Sequence, residues 1–296
     1  MLFTRPDGVR VRDESATRRV LPFLMPSRTE AMVQLEQKID VTETLRYLDR
    51  VNSDRKARRV SLFHVLLCAM ARAHHMRPKL NRFVVGQRIY QRHKLEYSFG
   101  VKKKLDDDAV LTAVKLPFEP DDTIETVIDR IDAAISKGRG EQKTQSEREM
   151  RLVASLPRFL TRFVVWALGV LDYFNLMPAS MIAADELYCS MFVANLGSVG
   201  LDAPFHHLYN WGTAPLFCSI GKVERTPVID ARGQIVPRDM LTIRWSFDER
   251  IADGFYCARA LDLFKDFLCN PEVLEKEPGE AERAAEPDKS AAASTG

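Results

Sequence analysis

The chain has 296 residues, enough to bury a substantial core as one large domain or two small ones. Hydrophobic residues make up 46% and charged residues 28%, the balance of a soluble globular protein. The 43 basic and 41 acidic residues leave a net charge of +2, without the basic excess that marks a nucleic-acid partner.

Residues 1–17 are polar and read as an extended arm. Val33, Leu35 and Ile39 share one parity of a strand, and Asp40 or Thr42 then caps a short helix to about Arg50. Ser61 opens a helix over Leu62–Met76 that is apolar on more than one face and stops before Pro78. Strands follow at Arg82–Val85, Arg88–Gln91, Leu95–Lys103 and Ala109–Leu116. Gly86 turns the first pair, and Asp106, Asp107 and Asp108 turn the last. Lys102, Lys103 and Lys104 are a solvated strand end or a phosphate contact. Asp121 and Asp122 cap an amphipathic helix with Ile124, Val127, Ile128, Ile131 and Ile135 on one face.

An apolar helical insert occupies about 151–183. Within Phe159–Ile182, Arg162 and Asp172 bracket an uninterrupted run of nine residues, against the roughly 20 that a spanning helix needs. The segment is expected to be a core helix, with a lip touching a membrane surface or an acyl chain as the alternative. Strands return at Leu187–Asn195, Pro215–Val223 and Met240–Phe247, and a last helix covers Phe255–Cys269. Residues 275–296 are dominated by Glu, Pro, Ala, Ser and Lys and are expected to be disordered. The body, 18–274, reads as one α/β domain with a mixed sheet.

The five cysteines, with no C-x-x-C and no apolar signal core in Met1–Arg12, predict reduced thiols in a cytoplasmic protein. The six histidines form neither H-E-x-x-H nor a paired Cys/His pattern, so no metal site is indicated.

Ser246-Phe247-Asp248-Glu249-Arg250-Ile251-Ala252-Asp253-Gly254 resembles the S-F-D-H-R-x-x-D-G signature of the acyltransferase component of 2-oxoacid dehydrogenase complexes. Chloramphenicol acetyltransferases carry a related H-x-x-x-D-G. Phe192–Gly200 resembles the family's F-T-I-S-N-L-G-x-x-G, shifted by one apolar residue, and Pro215–Gly221 resembles the hydrophobic strand that follows it. Lys38-Ile39-Asp40, preceded by Arg18 and Arg19, is similar to the start of the chloramphenicol enzyme, and Pro78-Lys79-Leu80-Asn81 also fits.

The resemblance implies a chloramphenicol acetyltransferase-like sandwich, a mixed β-sheet covered by helices. It implies a homotrimer with active sites between protomers, coenzyme A or acyl-CoA as substrate, an unidentified acyl acceptor and no metal. In the family the motif histidine takes a proton from the nucleophile, a serine steadies the oxyanion, and the motif aspartate pairs with an arginine. Here Asp253 and Gly254 are kept, with Arg18 or Arg19 as the partner of Asp253. No lipoyl-bearing or subunit-binding segment is recognisable, so an acyl donor or acceptor on a lipoyl arm of the same chain is not expected.

Two departures fall on the chemistry. Glu249 stands where the family has histidine, and Ala194 stands where it has serine. A carboxylate near 4.3 is mismatched to a thiol near 8.5 by about four units, or about 5–6 kcal/mol. Burial raises a carboxylate's pKa, whereas Arg250 next door is expected to hold it ionised. Losing one oxyanion donor costs about 10²–10³ in rate. Asn195 alternates to the other strand face and is a poor substitute. His206 and His207 are candidate bases oriented by Glu249 across a protomer interface; the alternative is ordinary surface or packing histidines. Glu249 itself is either catalytic or a member of an interface ion pair. A non-catalytic acyl-CoA-binding or assembly protein on the same fold accounts for both losses together.

Overall fold

The structure, a computed structural model, describes residues 4–53, 55, 58–102, 111–139 and 145–278. Strands β1 (Gly8–Arg10), β2 (Met32–Asp40), β3 (Arg82–Val85), β4 (Arg88–Arg92), β5 (Leu95–Lys102), β6 (Leu111–Phe118), β7 (Met191–Asn195), β8 (Leu216–Ile229) and β9 (Ile235–Asp248) alternate with eight helices among the described residues. The helices are α1 (Ala16–Leu24), α2 (Thr42–Ser53), α3 (Leu62–Met76), α4 (Ile124–Arg139), α5 (Gln145–Ala154), α6 (Arg158–Tyr173), α7 (Ala179–Ala184) and α8 (Gly254–Cys269).

Six strands form a mixed sheet in the order β2-β9-β8-β7-β5-β6. The pairings β5–β7 and β7–β8 are parallel and the others antiparallel. Strand alternation sends Ile39, Ile243, Trp245, Ile220, Cys218, Val193 and Tyr97 to one face, where α3, α4 and α8 cover them in a single core. The expected sandwich of a mixed sheet under helices is the observed fold.

Helix α3 is buried from His64 to His74, which explains its lack of a polar face. Its start is a reciprocal cap: Ser61 Oγ accepts from the His64 N–H, and His64 Nδ1 accepts from the Ser61 N–H at 3.1 Å. A second, small sheet, β1-β4-β3, holds the N-terminal arm. The arm is well anchored, because the buried Arg5 joins Asp7 and Asp172, each at 2.8 Å.

Three expectations are corrected. Helix α1 begins at Ala16, inside the stretch 1–17 read as an extended arm, and covers residues to Leu24 for which no element was expected. The strands β8 and β9 run on past Val223 and before Met240 into a ribbon in which Pro227 faces Pro237. Polar residues exposed on both sides of that ribbon leave no period-two signal. The apolar insert is not a core helix, since no residue of α6 is buried. The sheet's helical face is already filled by α3, α4 and α8. The acidic turn 106–108 and residues 279–296 of the tail lie outside the described residues, as do Lys103 and Lys104.

His74 is buried beside the Tyr97 hydroxyl, 3.1 Å from its Nδ1. Burial pushes its pKa down to about 3. The unfolded chain therefore binds one more proton than the folded chain between pH 6.5 and 3, and stability rises with pH through that window. Burial lowers His64 and His75 in the same direction. Urea unfolding at pH 7, 6 and 5 is expected to show stability falling below pH 6.5. His74→Phe should flatten that slope by up to about 1.4 kcal/mol per pH unit.

Candidate active site

The loop from β9 into α8 is fixed along most of its backbone. Asp248 and Arg250 both turn inward and form a bidentate pair, Nε–Oδ1 2.8 Å and Nη2–Oδ2 2.6 Å, with side chains 0% and 2% exposed. Arg250 Nη1 also donates to the Met25 carbonyl at 2.7 Å. The Asp248 N–H donates to Pro215 and the Glu249 N–H to Ala31, each at 2.9 Å. From α1, Arg18 Nη1 donates to the carbonyls of Glu249 (3.0 Å) and Arg250 (3.1 Å), while Nη2 lies 3.9 Å from Asp253 Oδ2. Asp253 caps α8 by accepting from the Tyr256 N–H at 2.8 Å, and that bond lowers its pKa. Gly254 follows as the first residue of α8, exposed.

The Glu249 side chain is half-buried and has no hydrogen-bond or ion-pair partner among the described residues. The expectation that Arg250 holds Glu249 ionised is therefore corrected: Arg250 is committed to Asp248. Arg18, not Arg19, faces Asp253. Arg19 is exposed and lines a separate cleft with Arg10 and Arg12.

Ala194 lies in β7 opposite Ser219 of β8, which lies opposite Arg244 of β9. Ser219 thus shares a sheet face with Ala194, a neighbour that sequence reading missed because parallel register cannot be read from spacing. The Ser219 hydroxyl has no hydrogen-bond partner among the described residues, but it is 1% exposed and so is not an accessible replacement donor. Asn195 Oδ1 accepts from the Ser198 N–H at 3.3 Å. Beyond it, Gly197 packs directly on the Gly221 carbonyl, where a Cβ has no room.

His206 and His207 lie over this face rather than at the Glu249 loop. The His206 ring stacks on Phe217 at 3.9 Å and 5°, and its carbonyl accepts from Gln34 Nε2 (3.0 Å) and from the Ser246 hydroxyl. Arg244 fixes the same segment by donating to the Ala203 carbonyl at 2.6 Å and packing over Phe205. Burial lowers the His206 pKa. His207 is exposed, stacked on His206 at 4.6 Å. Neither histidine contacts Glu249 within the protomer. Cys257, in α8, is buried, and burial pushes its thiol up to about 12, which makes it inert.

Residues 179–275 match the family model for the 2-oxoacid dehydrogenases acyltransferase (catalytic domain). This segment contains β7, β8, β9, the motif loop and α8. A probable dihydrolipoamide acetyltransferase from Listeria monocytogenes superposes with a TM-score of 0.59 at 17% identity, covering 88% of this chain and 94% of that one. The chain has the acyltransferase fold.

A chloramphenicol acetyltransferase gives a TM-score of 0.52 at 11% identity, over 88% of this chain and 99% of that one. The Azotobacter vinelandii dihydrolipoamide acetyltransferase gives 0.52 at 16% identity, over 89% and 94%. The catalytic mechanism of that enzyme has been investigated through a serine, a histidine and an asparagine. No curated protein matches the chain in sequence. At these identities the likeness establishes the fold, and the resemblance read from the motif loop is correct at that level.

The acyltransferase-fold loop depends on its buried ion pair. Arg250→Met leaves Asp248 buried and unpaired and should cost about 3–5 kcal/mol in urea unfolding. Combining it with Asp248→Leu should recover most of that loss.

Proposed function

We propose that this protein transfers acyl groups from acyl-CoA to an acceptor, with Glu249 as the base. The observation that carries the reading is the clamped loop. Asp248, Arg250, Arg18 and Asp253 fix the backbone around residue 249 while its carboxylate is left without a partner and half open. In the reaction, Glu249 would take the proton from the acceptor's nucleophile as it attacks the thioester carbonyl. The tetrahedral intermediate would then collapse, expelling the coenzyme A thiolate, which regains the proton.

The family resemblance supports assembly as a homotrimer, with the site completed between protomers. Withdrawing water from a carboxylate at such an interface favours its neutral form and so suits it to general-base work. In this assembly His206 or His207 of a neighbouring protomer is the group to test as its partner, because neither reaches Glu249 in its own protomer.

A second reading, acyl-CoA binding without turnover, is favoured by one observation. Ala194 offers no hydroxyl, and the adjacent Ser219 hydroxyl is sealed from solvent.

Thiol release from a panel of acyl-CoA compounds separates the two. Turnover is expected for the native protein, with a loss of about 10²–10⁴-fold in Glu249→Gln. Measurable binding with no release in either protein would establish the second reading. Release unchanged by Glu249→Gln would remove Glu249 from the mechanism.

A further inference from the structure

We propose that α6 seats this protein on an anionic lipid surface. The inference stands independently of the acyl-transfer reading.

Helix α6 presents Phe159, Phe163, Trp166, Val170 and Tyr173 at spacings of four, three, four and three, which places them on one helix face. All are 36–76% exposed. Phe174 and Leu176 extend the ridge, at 48% and 49%. On α1, Phe23 and Leu24 are 60% and 71% exposed, and Phe23 lines the same cleft as Tyr173. On the opposite side of α6, Leu168 packs against the cluster of Met177, Ile182 and Tyr188. The helix is therefore apolar on both faces, one used by the fold and one open to solvent. A contiguous ridge of this kind marks an interaction site.

The ridge is held rigidly at its C-terminal end. Arg5 pairs with Asp172 at 2.8 Å, the Tyr173 hydroxyl donates to Gln87 Oε1 at 3.0 Å, and Asn175 Nδ2 donates to the Tyr90 hydroxyl at 2.8 Å.

The charges around the ridge point to the partner. Arg158 and Arg162 flank the aromatic stripe, are exposed, and have no ion-pair partner among the described residues. Asp172, the one acid of α6, is committed to Arg5. At the far end, a cleft of about 870 Å³ is lined by Arg10, Arg12 and Arg19. Its acid, Glu14, is paired with Arg82.

An apolar ridge with a cationic rim, whose acids Asp172 and Glu14 are already paired, complements anionic headgroups above acyl chains. A second copy of the same surface would bring only the exposed Asp13, as an acid unpaired among the described residues, against Arg10, Arg12, Arg19, Arg158 and Arg162. Sixteen helical residues extend only about 24 Å. No helix among the described residues is long and apolar enough to cross a membrane. Helix α6 therefore lies in the interface plane, where Trp166 and Tyr173 suit the headgroup level.

The test is flotation of the full chain with vesicles of phosphatidylcholine alone or mixed with phosphatidylglycerol, with tryptophan emission recorded alongside. Binding is expected to the mixed vesicles and at least tenfold more weakly to the neutral ones. Binding should be accompanied by a blue shift that Trp166→Phe removes without abolishing flotation. Arg158→Gln and Arg162→Gln should each weaken binding about fivefold. Phe163→Ser with Trp166→Ser should abolish it while leaving the thermal transition in place, since both side chains are exposed. Flotation with neither vesicle, or equal flotation with both, overturns the proposal. So does an oligomer that dissociates in the Phe163→Ser, Trp166→Ser variant and binds no lipid, because that result assigns the ridge to contacts between copies of the chain.

Discussion

The site depends on one buried ion pair, Asp248 with Arg250. Two charges removed from water gain little by themselves, because desolvation offsets most of their attraction. The pair provides orientation. Its two members flank Glu249 and both turn inward, so residue 249 is directed outward. The guanidinium also reaches the carbonyl of Met25, while the backbone N–H groups of Asp248 and Glu249 reach Pro215 and Ala31. The loop is thus fastened to the two ends of α1 through Arg18 and Met25, to Ala31 just before β2, and to Pro215 just before β8. Any side chain at position 249 would inherit that placement, since none of these contacts uses the Glu249 carboxylate. Placement of residue 249 and the chemistry of its side chain are therefore separable here.

Most of the fold was legible in the sequence because its central elements have strong local signals. Helices α3 and α8 carry side-chain caps at Ser61 and Asp253, and α4 has a clean apolar stripe. Helix α1 was not legible, because Thr17, Arg18 and Arg19 sit beside Pro22 and the contact that ties the helix down runs from Arg18 to the remote motif loop. The insert shows a different limit. Hydropathy identifies an apolar helix but not whether a core has room for it, and the sheet face was already occupied. Exposure of α6 is a property of the whole assembly of elements, which no window of sequence contains.

The candidate site divides in the same way. The motif loop and Asp253 were visible as a pattern, and the resemblance implied Arg18 or Arg19 as the partner of Asp253; which of the two it is depends on a contact across 235 positions that only the structure gives, Arg18 Nη2 lying 3.9 Å from Asp253 Oδ2. The role of Arg250 was misread because adjacency in sequence suggests contact. Neighbouring side chains at the end of a strand diverge, whereas residues two apart share a side. The same parity explains why Ala194 and Ser219 meet, for register between parallel strands is set by the sheet and not by either strand's own letters.

The committed Arg250 also bears on the surroundings of the Glu249 carboxylate. A free guanidinium beside Glu249 would stabilise its charged form and reduce its basicity. Pairing with Asp248 commits that guanidinium to the other side of the loop. The Glu249 carboxylate is half-buried and without a partner among the described residues, so what it meets is set by whatever approaches the clamped loop from outside, whereas the loop's own geometry is complete within one protomer.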